Sequence, residues 1–175
     1  MVDPSSEIVD VIDTNDNVIG TAERRRIRSE NLLHRGVFIA VMSSDGRLLV
    51  HQRSERKDVW PSRWDIAVGG VVGSGEPYES AARRELAEEV GIEGDVALEH
   101  LGTGLFEDAE VRVLGHCYAV AHDGPYAFND GEVVRAELIS PNQLEILLGS
   151  AQMVPDSLAI LLPLLPRMWS RLHRP

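Results

Sequence analysis

Between Gly70 and Ile92 the chain runs Gly-Val-Val-Gly-Ser-Gly-Glu-Pro-Tyr-Glu-Ser-Ala-Ala-Arg-Arg-Glu-Leu-Ala-Glu-Glu-Val-Gly-Ile, and no other stretch constrains it as much. Ala82, Leu86 and Val90 recur every fourth residue, which is the buried stripe of a helix. Pro77 suits the first turn, where a missing N–H costs nothing, and Gly91 suits the stop. Glu85, Glu88 and Glu89 stand at spacings of three and four, so they share a helix face. Like charges placed so closely repel one another unless a cation lies among them. Oxygen-only ligands favour a hard cation, Mg²⁺ or Mn²⁺. The glycine-rich segment from Gly69 to Gly75 can bring backbone close to a ligand. The plainer alternative is a solvated helix face with ion pairs. Gly70 and Glu76, at fixed distances upstream, favour the metal-bearing helix.

The same stretch resembles the Nudix box: Gly70, Glu76, Arg84, Glu85, Leu86, Glu88, Glu89, Gly91 and Ile92 fill its fixed positions. The resemblance implies an α/β/α sandwich around a mixed β-sheet. It implies metal ligands at Glu85, Glu88 and Glu89, with the Gly70 carbonyl as a further ligand. Glu76 and Arg84 resemble the family's supporting pair, in which the arginine orients a glutamate. Nudix enzymes often recruit another carboxylate after the box as base or ligand. Glu132 and Glu107 are the candidates for that role, and Glu85, Glu89 and Glu132 are taken as the catalytic set. Splitting a diphosphate bond needs charge neutralisation, a positioned water and a base, and clustered carboxylates with Mg²⁺ supply these.

A chain of 175 residues is one domain's worth, and 43% hydrophobic with 26% charged residues is ordinary for a soluble globular protein. We therefore expect one domain over 1–175, with a core near 34–148, an N-terminal hairpin over 7–20 and a C-terminal helical segment over 156–172. A net charge of −11 argues against general nucleic-acid binding, since Lys and Arg are too few to displace counterions. It leaves room for a small-molecule diphosphate substrate, because a bound divalent ion reverses the local field. The single Cys117 cannot form an internal disulfide, which fits a reducing compartment. No apolar run is long enough for a membrane span, so a cytoplasmic location is expected. The hairpin and the apolar C-terminal segment could serve a homodimer or cover the core.

The periodicity predicts a hairpin from Ile8–Asp13 and Val18–Gly20 around Thr14-Asn15-Asp16-Asn17. Thr21 can cap a short helix over 23–28. Val37–Met42 is a continuous apolar run, hence a buried strand, with its return at 47–53. A loop over 54–64 leads to a strand at 65–69. Further strands are expected near 96–102, 105–106, 111–121 and 133–139. Ser140-Pro141 starts a short helix, and Asp156 or Ser157 starts a last one, bent at Pro163 and Pro166.

Arg53, Arg56, Lys57 and Arg63 are cations just ahead of the box, and Arg53, ending a strand, is favoured for clamping phosphates. Arg24-Arg25-Arg26 is read as surface. Trp60 and Trp64 could stack on a base or pack in the core, and Trp64 is assigned to the core.

Leu32-Leu33-His34-Arg35, Gln52-Arg53-Ser54 and Trp60 to Asp65 resemble the isopentenyl-diphosphate isomerase-like branch of the family. The isomerases carry a catalytic cysteine after that tryptophan, where this chain has Asp65-Ile66-Ala67-Val68. His34 matches an isomerase histidine, and without its partners a structural role is expected. The resulting expectation is a Mg²⁺-dependent Nudix hydrolase of a compound such as a nucleoside diphosphate linked to another moiety. An isomerase and a non-catalytic diphosphate-binding module are the alternatives.

Overall fold

The computed structural model describes residues 4–128 and 131–172. Among these, nine strands join in one mixed sheet: β1 (Ile8–Ile12), β2 (Val18–Glu23), β3 (His34–Met42), β4 (Leu48–Arg53), β5 (Trp64–Asp65), β6 (Val68–Val71), β7 (Glu99–Glu107), β8 (Arg112–Ala121) and β9 (Val133–Ile139). The helices are α1 (Arg24–Ser29), α2 (Tyr78–Val90), α3 (Pro141–Ser150), α4 (Pro155–Ile160) and α5 (Leu165–Leu172).

Strand β3 organises the sheet. It pairs antiparallel with β6 and parallel with β8 along all nine residues from His34 to Met42. The β1–β2 hairpin joins at its start through Val11 and His34, and β4 leaves from its end to pair with β5 and β9. The apolar run in β3 has a simple cause: both faces are covered. Phe38, Ala40 and Met42 pack into one core with Leu144, Ile160 and Leu165 of the C-terminal helices. Val37, Ile39 and Val41 pack into the other with Ala81, Ala82, Leu86 and Val90 of α2. Strands covered on both faces lose the polar–apolar alternation. The expected α/β/α sandwich with an N-terminal hairpin is the fold observed.

The stripe of α2 sits fully against the sheet, with Leu86 and Val90 at 0% exposure. Truncating such a leucine to alanine costs about 2–5 kcal/mol. Gly91 closes α2 with φ of 70°, a left-handed cap that favours glycine.

Several local expectations are corrected. Thr21 does not cap α1. It belongs to β2, and Glu23 holds the cap position without a side-chain bond. Pro77 is the cap of α2 rather than a residue of its first turn. The strand expected over 65–69 divides into β5 and β6, which pair with different partners, β4 and β3. The strand expected from Val96 begins at Glu99 and continues unbroken to Glu107. Helix α3 starts as expected, with a reciprocal Ser140–Gln143 capping box. Helix α4 starts one residue early, at Pro155, and a 3₁₀ turn over Leu162–Leu164 bends the chain at Pro163. Pro166 is the second residue of α5, where proline is tolerated, so it breaks nothing. Among the described residues no helix is long and apolar enough to cross a membrane.

Candidate active site

The helix α2 lies across β6, and the two carry the box residues into one place. Arg84 is the organising side chain. Its Nε and Nη2 donate to the two carboxylate oxygens of Glu76 at 3.0 and 2.9 Å. Its Nη1 donates to Glu85 at 2.7 Å and to Glu88 at 3.2 Å, and Nη2 also reaches the Val71 carbonyl at 3.1 Å. The Gly73 N–H donates to Glu76 at 2.9 Å, which completes the bracing of that carboxylate. Burial works to raise the Glu76 pKa, but the bonds from Arg84 and Gly73 prevail and hold it below the usual carboxylate value. Such a fork-to-fork pair fixes orientation as well as charge.

Glu85 and Glu89 are buried on the sheet-facing side of α2, whereas Glu88 is exposed and turned toward Arg84. Burial first, and the neighbouring Glu89 second, push the Glu85 pKa up to about 7 against the pull of Arg84. A Cβ placed on Gly70 would lie 2.5 Å from Glu85 Oε1, so glycine lets the carboxylate lie where it does against the β6 backbone. Glu89 accepts from the Gly69 N–H at 3.3 Å and from Lys57 Nζ at 3.3 Å. The same Lys57 ammonium bonds Glu132, which comes from the start of the segment leading into β9. The carboxylate picked out after the box is thus brought to Glu89, with a lysine between them. Glu107 is exposed and paired with Arg112 at 2.5 Å.

Among the described residues no three His, Cys, Asp or Glu side chains already form a cation cage. The donor set nonetheless suits a hard cation. Two buried carboxylates lie beside a glycine backbone, and Arg84 and Lys57 now offset their charge.

Arg53 donates to the Val59 carbonyl at 3.1 Å and pairs with Asp65 at 3.6 Å. It lines a cavity that also exposes Gly70 and Lys57. Arg56 donates to the Gly131 carbonyl, and Arg63 to the Met153 carbonyl. Trp60, whose place the sequence leaves open, is buried in the core on the cavity wall, edge-on to Phe106, while Trp64, assigned to the core, packs against it half-buried with Arg135 over its ring. Trp60 sits in the loop before β5 with φ of 49°. His34 is buried, and its Nδ1 faces the Leu32 carbonyl at 2.9 Å. Burial, then Arg28, lower its pKa to about 4, so the ring is neutral. Cys117 is buried and its thiol is pushed up to about 12, which leaves it unreactive.

Sequence reasoning missed Arg28 and Asp156 on the cavity wall, and it misplaced Arg24, which also lines that wall; Arg25 and Arg26 are exposed as expected. A signal was available for the two arginines. Arg24 and Arg28 are four apart in a helix, hence on one face.

A NUDIX domain model matches residues 32–158 of the chain. The chain belongs to the Nudix family. It is 38% identical over 157 residues to the uncharacterized Nudix hydrolase YfcD of Escherichia coli strain K12, covering 90% of this chain and 86% of that one. An uncharacterized Nudix hydrolase of Yersinia pestis is 39% identical over 155 residues, covering 89% and 84%. The crystal structure of DR0079 from Deinococcus radiodurans superposes with a TM-score of 0.73 at 26% identity, covering 96% of this chain and all of that one. As a Nudix hydrolase, this protein acts on a phosphoanhydride bond of a diphosphate-containing substrate.

Proposed function

We propose that the protein is a Mg²⁺-dependent hydrolase that directs water onto a phosphorus of a nucleoside diphosphate linked to another moiety, or of a similar compound. The observation that carries this is the pair Glu85–Glu89. Both carboxylates are buried, they repel each other, and the β6 backbone faces them, Gly70 beside Glu85 and Gly69 beside Glu89. Glu85, Glu89 and the Gly70 carbonyl would hold the ion, with Glu88 swinging in from the helix surface. Mn²⁺ would serve in the same place. When bound, the cation neutralises phosphate charge and lowers the pKa of a coordinated water.

The chain's own groups supply the rest. Arg84, locked to Glu76, orients Glu85 and shields it from Glu88. Lys57 separates Glu89 from Glu132 in the resting state. With Glu89 and Glu132 otherwise neutralised, its ammonium would be available to a phosphate of the substrate. Glu132 or Glu89 then accepts the proton of the attacking water. Arg53 holds the phosphates from the strand end, where its planar fork suits an oxyanion.

The scaffold is the isomerase-like one, used for hydrolysis. The segment after Trp64 supplies no thiol, and Cys117 is buried in β8. Isomerisation needs an acid and a base across a carbon skeleton, and no cysteine is available for that task. We read the chain as one domain whose hairpin and C-terminal helices complete the core.

The test is turnover with Mg²⁺ on a panel of diphosphate-linked compounds, comparing the wild type with Glu89→Gln. Turnover that disappears in a folded variant supports the assignment, and wild-type turnover in that variant overturns it. Deuterium incorporation into isopentenyl diphosphate would instead establish the isomerase. Tight binding without turnover would establish a binding module.

A further inference from the structure

The loop that leads into the box helix is held from the N-terminal hairpin. Gly73-Ser74-Gly75-Glu76 forms a β-turn: the Glu76 N–H donates to the Gly73 carbonyl at 3.0 Å, and Gly75 takes φ of 73° at the third position. Both central residues of this turn meet Asp10 of β1. Ser74 Oγ donates to Asp10 Oδ1 at 2.6 Å, and the Gly75 N–H donates to Oδ2 at 3.2 Å. Arg35 Nη1 donates to the same Oδ2 at 3.2 Å. The backbones join as well: the Ser74 N–H donates to the Ile8 carbonyl at 2.9 Å, and Val9 forms a bridge with Gly73. Asp10 is 6% exposed, and a carboxylate so shielded from water is tolerated because both its oxygens are bonded.

The turn carries Glu76 to its place. The Gly73 N–H ends on Glu76, Glu76 takes two nitrogens of Arg84, and Arg84 reaches Glu85. Hydrogen bonds and one tight turn therefore connect Asp10 to the Glu85 carboxylate. The hairpin also grips the start of α2. Tyr78 Oη donates to Asp16 Oδ1 at 3.1 Å, and Arg35 Nε donates to the same oxygen at 2.6 Å. Arg35 thus ties the residue that holds the loop to the residue that holds the helix. Asp10 does not line the cavity at Gly70 and Lys57, so its effect on the site passes through the turn.

We propose that Asp10 is a positioning residue of the hydrolytic site. It fixes the Gly73–Glu76 turn so that Glu76 and Arg84 hold Glu85 where the cation needs it. The N-terminal hairpin then takes part in setting the metal's ligands. Groups that orient a metal's ligands are typically worth about 10- to 100-fold in affinity or activity, and Asp10, one step further back, falls at the lower end. The inference rests on the hydrolase reading for the role of Glu85, while the link from Asp10 to Arg84 is measured without turnover.

The experiment compares the full chain with Asp10→Asn. Asparagine keeps the size and one acceptor oxygen but turns an amide N–H toward the donors on Gly75 and Arg35. Ile12→Val, at a buried hairpin position outside the Asp10 hydrogen bonds, is the control for lost stability alone. With chelator and no substrate, NMR follows exchange of the Gly73 amide and the Arg84 Nε–H signal. Asp10→Asn should speed Gly73 exchange by about tenfold or more beyond Ile12→Val, and it should move the Arg84 signal. By calorimetry it should weaken Mg²⁺ binding by about tenfold. Turnover should fall by a similar factor through kcat, with KM for the substrate held within about twofold. Changes no larger than those of Ile12→Val overturn the proposal. Unchanged Mg²⁺ affinity beside altered signals confines Asp10 to the fold and overturns it as well. If the wild type neither binds Mg²⁺ nor turns over, the hydrolase reading is what fails, and the Gly73 and Arg84 signals still decide whether Asp10 sets the turn. If Asp10→Asn does not fold, Ser74→Ala decides, since it removes one donor to Asp10 and no charge. Wild-type Gly73 exchange and an unmoved Arg84 signal in that variant overturn the proposal.

Discussion

Lys57 Nζ lies 3.3 Å from Glu89 Oε1 while bonding Glu132 as well, so one ammonium joins the helix of the box to the residue that leads into β9. The lysine and Glu89 are both largely shielded from water, at 15% and 7% side-chain exposure. Removing one partner of so buried a pair leaves an uncompensated charge. Lys57→Met should therefore destabilise the metal-free protein by about 2–4 kcal/mol in urea unfolding with chelator. Mg²⁺ supplies replacement charge, so it should stabilise the variant more than the wild type. Equal Mg²⁺ stabilisation of both proteins would show that the ammonium and the cation do not share a site.

Gly70 tests the contact between backbone and carboxylate. In Gly70→Ala the new Cβ would meet Glu85 Oε1 at 2.5 Å, and the carboxylate must shift. The clash falls on the end of a side chain, which can give way, so the effect is on the position of the carboxylate rather than on the stability of the fold. We expect a folded protein with turnover reduced by about a hundredfold, since misplacement by about 1 Å suffices for that. Turnover within a factor of a few of wild type, measured under saturating Mg²⁺, would remove Gly70 from the site.

The parts of this architecture visible in the sequence are those with a period or a fixed spacing. The stripe Ala82, Leu86, Val90 gave the helix and its buried face, and the run Val37–Met42 gave the strand between two cores. The pairing of Arg84 with Glu76 follows from a motif whose members lie eight residues apart. What stayed hidden depends on distant segments meeting. Arg28 and Asp156 face one cavity from elements more than a hundred residues apart, and the spacing that puts Arg24 and Arg28 on one helix face does not say what that face meets. The place of Trp60 stays open in the sequence because the residue sits in a left-handed backbone conformation, which a non-glycine residue does not announce.

The same buried groups set the acid response, and they oppose one another. His34 has a folded pKa of about 4 against an ordinary 6.5, so between those values the unfolded chain binds a proton that the folded chain refuses. Its contribution to stability is lost as pH falls through that window, by up to about 3 kcal/mol. Asp156 runs the other way. Burial, with Asp65 next, raises it to about 7, so the folded chain holds a proton that the unfolded chain releases, and acid stabilises. Between about pH 6.5 and 4 the two largely cancel. His34→Gln should therefore become more stable on acidification over that range relative to wild type, and Asp156→Asn less stable. Urea midpoints at pH 7, 5.5 and 4 check both signs, and parallel profiles for all three proteins would contradict the account.

Arg84 separates charge from geometry. It serves Glu76, Glu85, Glu88 and the Val71 carbonyl at once, which needs the guanidinium plane and its several donors. Lysine keeps the charge but offers no fork, so it can satisfy Glu85 or Glu76 but not hold both in place. Arg84→Lys should stay folded, with the α2 core untouched, because Leu86 and Val90 face the other way into the sheet. The loss falls on positioning: turnover should decline by about 10- to 100-fold, the range typical of residues that orient a metal's ligands, with half-saturation by Mg²⁺ shifted upward. A double variant tests the origin of that loss. If Arg84 acts through Glu76, then Glu76→Gln combined with Arg84→Lys should be little worse than Arg84→Lys alone. If the two losses instead multiply, Glu76 acts on the site independently, and the bracing role assigned to the pair is wrong.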